Sequence, residues 1–179
     1  MVGLAVRVAF KIRPANRDDL EPLAESLGPG HHEFFLGRYP LQEKGLGEIL
    51  LAFEDGRPVG GVFLSWDLAS EPEVRRHLAG VPMIFHLHVA PSHRHHGVGR
   101  ALLRRAEAHL RARGPKQVLL GVDKSNQVAR DLYLWLGYVQ PAEPDLRDLR
   151  ATPEPGDRSH SVGDTYDILV ADLHRPVPG

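Results

Sequence analysis

The stretch Phe85-His86-Leu87-His88-Val89-Ala90-Pro91-Ser92-His93-Arg94-His95-His96-Gly97-Val98-Gly99-Arg100-Ala101-Leu102-Leu103 decides how the rest of the chain is read. Its first part continues an apolar run from Met83 and reads as a strand ending at Val89. Pro91 and the polar residues after it make a short loop. From Val98 the pattern becomes helical, because Val98, Leu102, Ala106 and Leu110 recur every four residues and form one buried stripe. Gly114-Pro115 stops that helix after Arg113. Gly97 and Gly99 sit at its start, three and five residues after Arg94. The first turn of a helix has unpaired N–H groups and the positive end of the helix dipole. Glycine lets a bulky anion approach that backbone because no Cβ intervenes. Successive loop amides can then cradle a diphosphate. A tight turn with close helix packing would use the same glycines.

Working outward, Gln117 to Val122 is a strand, continuously apolar at its centre and so buried on both faces. Ser125 or Asn126 caps a helix running to Leu136, with Val128, Leu132 and Trp135 or Leu136 expected on its inner face. Gly137 is its expected left-handed cap residue, and a short strand follows at Tyr138-Val139. Upstream, Glu48 to Phe53 and Pro58 to Trp66 flank the turn Glu54-Asp55-Gly56-Arg57 as a hairpin. Val6 to Ile12 reads as the first strand. A helix from Asp18 or Asp19 to Leu27 is stopped by Gly28-Pro29-Gly30, and a weaker helical stretch covers His32 to Tyr39. A short helix fits Glu73 to Leu78. Residues 141–163 read as a long Pro-rich loop, and Thr165 to Leu173 as the last strand. Hairpins early and strand–helix–strand crossovers late give a mixed α/β sheet with helices on both faces. No internal repeat is visible, and residues 1–179 read as one domain.

Composition narrows the function classes. The 179 residues carry a net charge of −1 with no block of either sign, which argues against sequence-independent nucleic-acid binding or a polybasic membrane anchor. No apolar run reaches the roughly 20 residues that span a bilayer, and the opening ten residues lack the features of a signal peptide. A cytoplasmic chain is the expectation. Cysteine is absent, which removes disulfides, thiolate metal sites and a cysteine nucleophile.

The ungapped string Leu-x-Val-x-Pro-x-x-Arg-x-x-Gly-x-Gly-x-x-Leu-Leu, from Leu87 to Leu103, resembles the acetyl-CoA-binding motif of GNAT acetyltransferases. It is not a Walker P-loop, since no Gly-Lys-Ser/Thr follows, nor a dinucleotide fingerprint, since Leu102 fills the third glycine position. Asn126-x-x-Ala129-x-x-Leu132-Tyr133-x-x-x-Gly137-Tyr138 is similar to the family's second cofactor segment, and Ile12-Arg13-Pro14-Ala15 with Asp18-Asp19-Leu20 to its opening strand and helix. The resemblance implies a single-domain fold with a mixed, mostly antiparallel sheet and one splayed strand pair. It implies acetyl-CoA as co-substrate, transferring its acetyl group to a primary amine, and it extends over about residues 6–140. In such a fold the strand ending at Val89 bulges and splays from the strand at 117–122. The pantetheine arm then pairs with the main chain at Leu87, His88 and Val89. The diphosphate faces Arg94 and the amides of His95, His96, Gly97, Val98 and Gly99, with Arg100 and Ala101 behind them. Asn126 and Ala129 line the cofactor, and Tyr133 protonates the leaving sulfur; an interfacial tyrosine would look the same in sequence.

The family's frequent acidic position on the strand is not acidic here. His86 or His88 can serve as general base instead, with a limb in the rate near the ordinary histidine pKa of about 6.5. The pair could equally line the acceptor pocket. Their i, i+2 spacing is also metal-competent, but no acid lies nearby to complete a ligand set, so no metal is expected. His31, His32, Glu33, Phe34, Phe35 and Tyr39 fall where the family shapes its acceptor site, and the sequence does not separate pocket from core there. A protein or peptide amine as acceptor and a non-catalytic acyl-CoA sensor are the alternatives. The last strand, if exposed, offers an edge for a homodimer.

Overall fold

The computed structural model describes residues 10–66, 76–142, 149–150 and 165–176. Seven strands form one sheet in the order β1-β2-β3-β4-β5-β7-β6. They are β1 (Lys11–Pro14), β2 (Gly47–Glu54), β3 (Arg57–Ser65), β4 (Met83–Val89), β5 (Gln117–Asp123), β6 (Leu149–Arg150) and β7 (Thr165–Asp172). Every neighbouring pair is antiparallel except β4–β5. Among the described residues the helices are α1 (Leu23–Leu27), α2 (Pro29–Glu43), α3 (Val98–Arg113) and α4 (Gln127–Trp135), with residues 76–78 also helical; the start of the helix expected from Glu73 to Leu78 lies outside the described residues.

Alternation along β2 and β3 divides the sheet into two faces. Leu50, Ala52, Val62 and Leu64 share a core with Leu102, Ala106 and Leu110 of α3 and with Tyr133 of α4. Ile49, Leu51 and Phe63 pack with Leu23 and Leu27 of α1 and Phe34 and Phe35 of α2. Side chains such as Phe35 and Leu102 are fully enclosed, and each contributes about 1.5–3 kcal/mol by leaving water. Gly60 permits the closest approach: a Cβ there would lie 2.9 Å from the His88 carbonyl and 3.1–3.2 Å from Leu102 and Val98. Its absence lets α3 seat directly over β3 and β4.

The expected strands at 83–89 and 117–122, the helix at 98–113 and the 54–57 turn are all present. Asp55 and Gly56 both have positive φ, as a two-residue hairpin turn requires. The N-terminal region differs. The first strand is Lys11–Pro14, and the expected segment before residue 10 lies outside the described residues. Pro22 interrupts the helix expected from 18 to 27, because it offers no N–H and crowds the preceding turn. A 3-10 turn at Arg17–Asp19 comes first, closed by a capping box between Asn16 and Asp19. The Asp19 carboxylate also receives two hydrogen bonds from Arg13, at 2.6 and 2.8 Å. Gly28, with φ of +96°, separates α1 from α2, and Pro29 then starts α2 rather than closing the turn.

Two expectations at the C-terminal end are corrected. In α4 the inner face is Ala129, Leu132, Tyr133 and Leu136, a clean i, i+3, i+4, i+7 set, whereas Val128 is 73% and Trp135 49% exposed. Strand β6 falls within the 141–163 segment expected as a loop, most of which lies outside the described residues. The last strand is internal: β5 covers one flank, and β6 with the Val139–Val170 bridge occupies the other, so β7 is not the open edge that dimer pairing would need. Glu107, 2% exposed, anchors this region by accepting hydrogen bonds from Tyr138 Oη, Arg175 and Arg111 at 2.8, 2.8 and 3.0 Å.

Candidate active site

β4 and β5 pair only at Met83–Leu119 and Ile84–Leu120. Beyond these pairs β4 continues to Val89 and β5 to Asp123 without meeting, while β5 stays paired with β7 along its whole length. The two strands therefore splay. The divergence begins at a bulge in β4. Against β3, Phe85 pairs with Phe63 and His88 with Gly61, so three steps on β4 match two on β3. The extra residue is His86, held at φ +53°, a conformation that costs a non-glycine residue about 1–2 kcal/mol. The bulge places Phe85 and His86 consecutively on the α2 face, after which alternation resumes. His88 also faces α2, while Leu87 and Val89 pack on the α3 side.

The same register sets the backbone directions. The Ala90 N–H donates to the Val59 carbonyl on β3 at 2.9 Å. By strand alternation the N–H and C=O of Val89, and of Leu87 two residues earlier, point the other way, into the opening beside β5. These groups have no strand partner there. A chain bearing amides can add itself to such an edge.

The opening leads to the start of α3. Gly97 adopts φ +85°, and a Cβ built on it would meet nothing within 4 Å, while the first-turn N–H groups of Val98, Gly99 and Arg100 have no partner within the helix. His95 is also left-handed, at φ +64°. His95, His96 and Gly97 are exposed. His93 does not turn toward the opening, because its Nε2 is bound to Glu54 at 2.7 Å. Arg94 Nε donates to the Val89 carbonyl at 3.2 Å, so in this structure its side chain lies across the strand end rather than over the α3 amides. The Arg100 guanidinium lies over the Trp135 ring, 4.8 Å from its centroid, and ties the start of α3 to the end of α4.

On the α2 face the bulge histidines meet a third imidazole. His31 Nδ1 is 2.8 Å from His86 Nε2, and the His31 ring stacks on His88 with centroids 3.3 Å apart. Phe34 stacks on His86 at 3.9 Å. Burial, with lesser repulsion from His31 and Arg94, pushes the His88 imidazole down to about 4, and burial with Arg94 lowers His31. Both rings are neutral at pH 7. A rate limb set by His88 therefore belongs near pH 4, not near the ordinary histidine value of about 6.5. Among the described residues no group of three or more His, Asp or Glu is arranged to hold a metal ion.

Tyr133 is 5% exposed and belongs to the core that Leu87 and Val89 pack against. Burial raises its phenol well above the ordinary range, so the hydroxyl keeps its proton. Asn126 Oδ1 caps α4 by accepting from the Ala129 N–H at 3.1 Å, and Ala129 is half-buried on the inner face. His31 is the site residue that sequence reasoning left unassigned. Its signal was local: His31 and Phe34 are i, i+3 and so share one helix face.

The sequence pattern of the acetyltransferase (GNAT) family matches residues 15–138. A mycothiol acetyltransferase from Thermobispora bispora is 48% identical over 52 residues, a stretch covering 29% of this chain and only 18% of that protein. Solved structures of similar shape include yncA from Salmonella typhimurium with its cofactor acetyl-CoA: 18% identity, 96% and 98% of the two chains covered, TM-score 0.66. The paiA N-acetyltransferase from Thermoplasma acidophilum, in complex with coenzyme A, gives 18% identity, 92% and 99% coverage and a TM-score of 0.64. No helix among the described residues is long and apolar enough to cross a membrane. A family match running through the bulged strand, the glycine turn and the Tyr133 helix, on a sheet that splays between β4 and β5, makes this chain a member of the acetyltransferase (GNAT) family.

Proposed function

We propose that this chain is an acetyl-CoA-dependent N-acetyltransferase that acts on a primary amine of a small molecule. The observation that carries the reading is the splay of β4 from β5 beside the glycine turn that starts α3. Main-chain groups of Leu87 and Val89 that have no strand partner border the opening, and the start of α3 follows at Gly97. These groups suit the cofactor in chemistry: amide edge for pantetheine, helix start for diphosphate. The local match to a mycothiol acetyltransferase supports a small-molecule acceptor.

Bound acetyl-CoA would supply the acyl group as a thioester. The chain's own groups then have four tasks. The edge of β4 orients the pantetheine arm, and an inward N–H at Leu87 or Val89 polarises the thioester carbonyl. The amides from His95 to Gly99 hold the diphosphate, with Arg94 within one side-chain swing of it. Arg100, Ala101, Asn126 and Ala129 border the cofactor path. Tyr133 keeps its proton and offers it to the departing sulfur. His86 and His88 face the acceptor side, and a neutral imidazole there takes the amine's proton as attack proceeds. The test is thiol release from acetyl-CoA with a panel of aminoglycosides, polyamines, amino acids and N-terminal peptides. Turnover of a small amine supports the reading. Turnover of peptides alone would replace the small-molecule acceptor with a protein one.

A further inference from the structure

The α2 face of the β4 bulge holds an imidazole with two contacts and no assigned task. His31 lies 55 residues before His86 in sequence, yet the rings share a 2.8 Å hydrogen bond. The same ring lies flat on His88, with centroids 3.3 Å apart and planes 23° apart. His86 is gripped from its other side by Phe34, stacked at 3.9 Å and 12°. Both histidines that the proposed reaction uses are thus oriented from α2, the helix that borders the acceptor side.

The nitrogens have separate fates. His88 Nε2 is enclosed and has no hydrogen-bond partner among the described residues. An enclosed nitrogen cannot meet an incoming amine, so His88 exchanges protons through Nδ1. The stack holds the plane of the His88 ring, and the enclosure of Nε2 leaves Nδ1 as the nitrogen available for exchange. His86 meets His31 through Nε2, and that bond couples the tautomers of the two rings, because whichever of His31 Nδ1 and His86 Nε2 carries the proton donates and the other accepts.

We propose that His31 is a positioning residue of the acceptor site, coupling the His86 tautomer to its own through their hydrogen bond and holding the plane of His88 by its stacked face, with Nδ1 as the exchanging nitrogen. The proposal rests on the N-acetyltransferase reading for its chemistry, but not for its geometry. The charged or titratable groups facing His31 are His86 and His88 from β4 and Arg94 from the loop before α3. All are basic, and a proton on any one of the imidazoles disfavours a proton on the others.

The test uses the full chain with two variants. His31→Phe keeps a stacking face but removes the bond to His86 and the neighbouring charge. His31→Asn keeps a hydrogen-bonding group near the Nδ1 position and removes the stack. Histidine ring resonances are titrated by NMR, and thiol release from acetyl-CoA is measured with the panel amine that turns over fastest. In His31→Phe the His88 midpoint should rise above about 4, since one of its depressing causes is gone while burial stays. The kcat/KM for the amine should fall about tenfold or more, with the KM for acetyl-CoA unchanged, and His31→Asn should recover part of the loss. An unaltered His88 titration together with wild-type amine kinetics in both variants overturns the proposal. Should His31→Phe fail to fold, His31→Asn decides by the same two readouts. If wild type turns over no amine, the N-acetyltransferase reading fails. The histidine titration still judges His31, and an unmoved His88 midpoint rejects it.

Discussion

Gly97 separates what the fold needs from what the cofactor needs. Its φ of +85° belongs to the left-handed region, which costs a residue with a Cβ about 1–2 kcal/mol. Nothing lies within 4 Å of a Cβ placed there, so no clash adds to that strain. For a chain of this size each kcal/mol moves the melting temperature by about 2–4 °C, so Gly97→Ala should lower it by about 2–8 °C. Gly97→Trp should cost the fold a similar amount, because its indole projects into open space. Binding is a different matter. Coenzyme A at about one hundred times its Kd contributes about 2.7 kcal/mol to the native state, a rise of about 5–11 °C. In Gly97→Trp the indole stands before the first-turn amides of α3, and that rise should vanish. The assay is a thermal melt of wild type and both variants, with and without coenzyme A. A full coenzyme A shift in Gly97→Trp would refute the assignment of the α3 start to the diphosphate.

The other predictions concern the reaction, the pH response and the C-terminal anchor. Tyr133→Phe should keep coenzyme A affinity within a few-fold and lower turnover about tenfold to a thousandfold, as judged by thiol release; unchanged turnover in a chemistry-limited assay removes Tyr133 from the reaction. The folded-state pKa of His88, about 4, lies below its unfolded value of about 6.5, so between these the unfolded chain binds a proton that the folded chain does not. Stability should therefore be flat above pH 6.5 with respect to this group and fall as pH drops toward 4. His31 acts in the same direction, and melting across that range in His88→Phe should show a shallower slope. Glu107→Ala strands the Arg175 guanidinium, which is 10% exposed, and removes the Tyr138 and Arg111 bonds. Breaking such a buried pair costs about 3–5 kcal/mol, a fall of about 6–20 °C. A fall of only a degree or two would mean that the tail is held by other contacts.

The sequence made the parts of the fold legible where one local rule acted alone. The α3 stripe, the hairpin turn at Asp55-Gly56 and the apolar run of β5 each depend on periodicity or turn chemistry within a few residues, and each lies where that pattern puts it. The start of the chain was less legible because two signals compete there: Leu20, Leu23 and Leu27 favour one helix, and Pro22 divides it. The face of α4 was misjudged for a related reason. Apolar Val128 and Trp135 looked like core, but the buried set runs through Tyr133, and Trp135 is exposed beneath Arg100. In the candidate site, the glycine turn and the two strand histidines could be read from spacing. The contacts of His31 could not, since they depend on where α2 crosses the bulge. The burial that lowers His88 was equally hidden, since it comes from tertiary packing around the ring.

If the opening between β4 and β5 serves acetyl transfer to an amine, the acyl group can be traced. The most direct measurement follows isotope-labelled acetyl from acetyl-CoA into an amide product across the amine panel, with purified wild-type chain. A labelled N-acetyl product should form from at least one small amine, in step with free coenzyme A, and be absent in Gly97→Trp. Coenzyme A binding with no labelled product from any amine would contradict acetyl transfer and leave an acyl-CoA-binding chain without transferase activity.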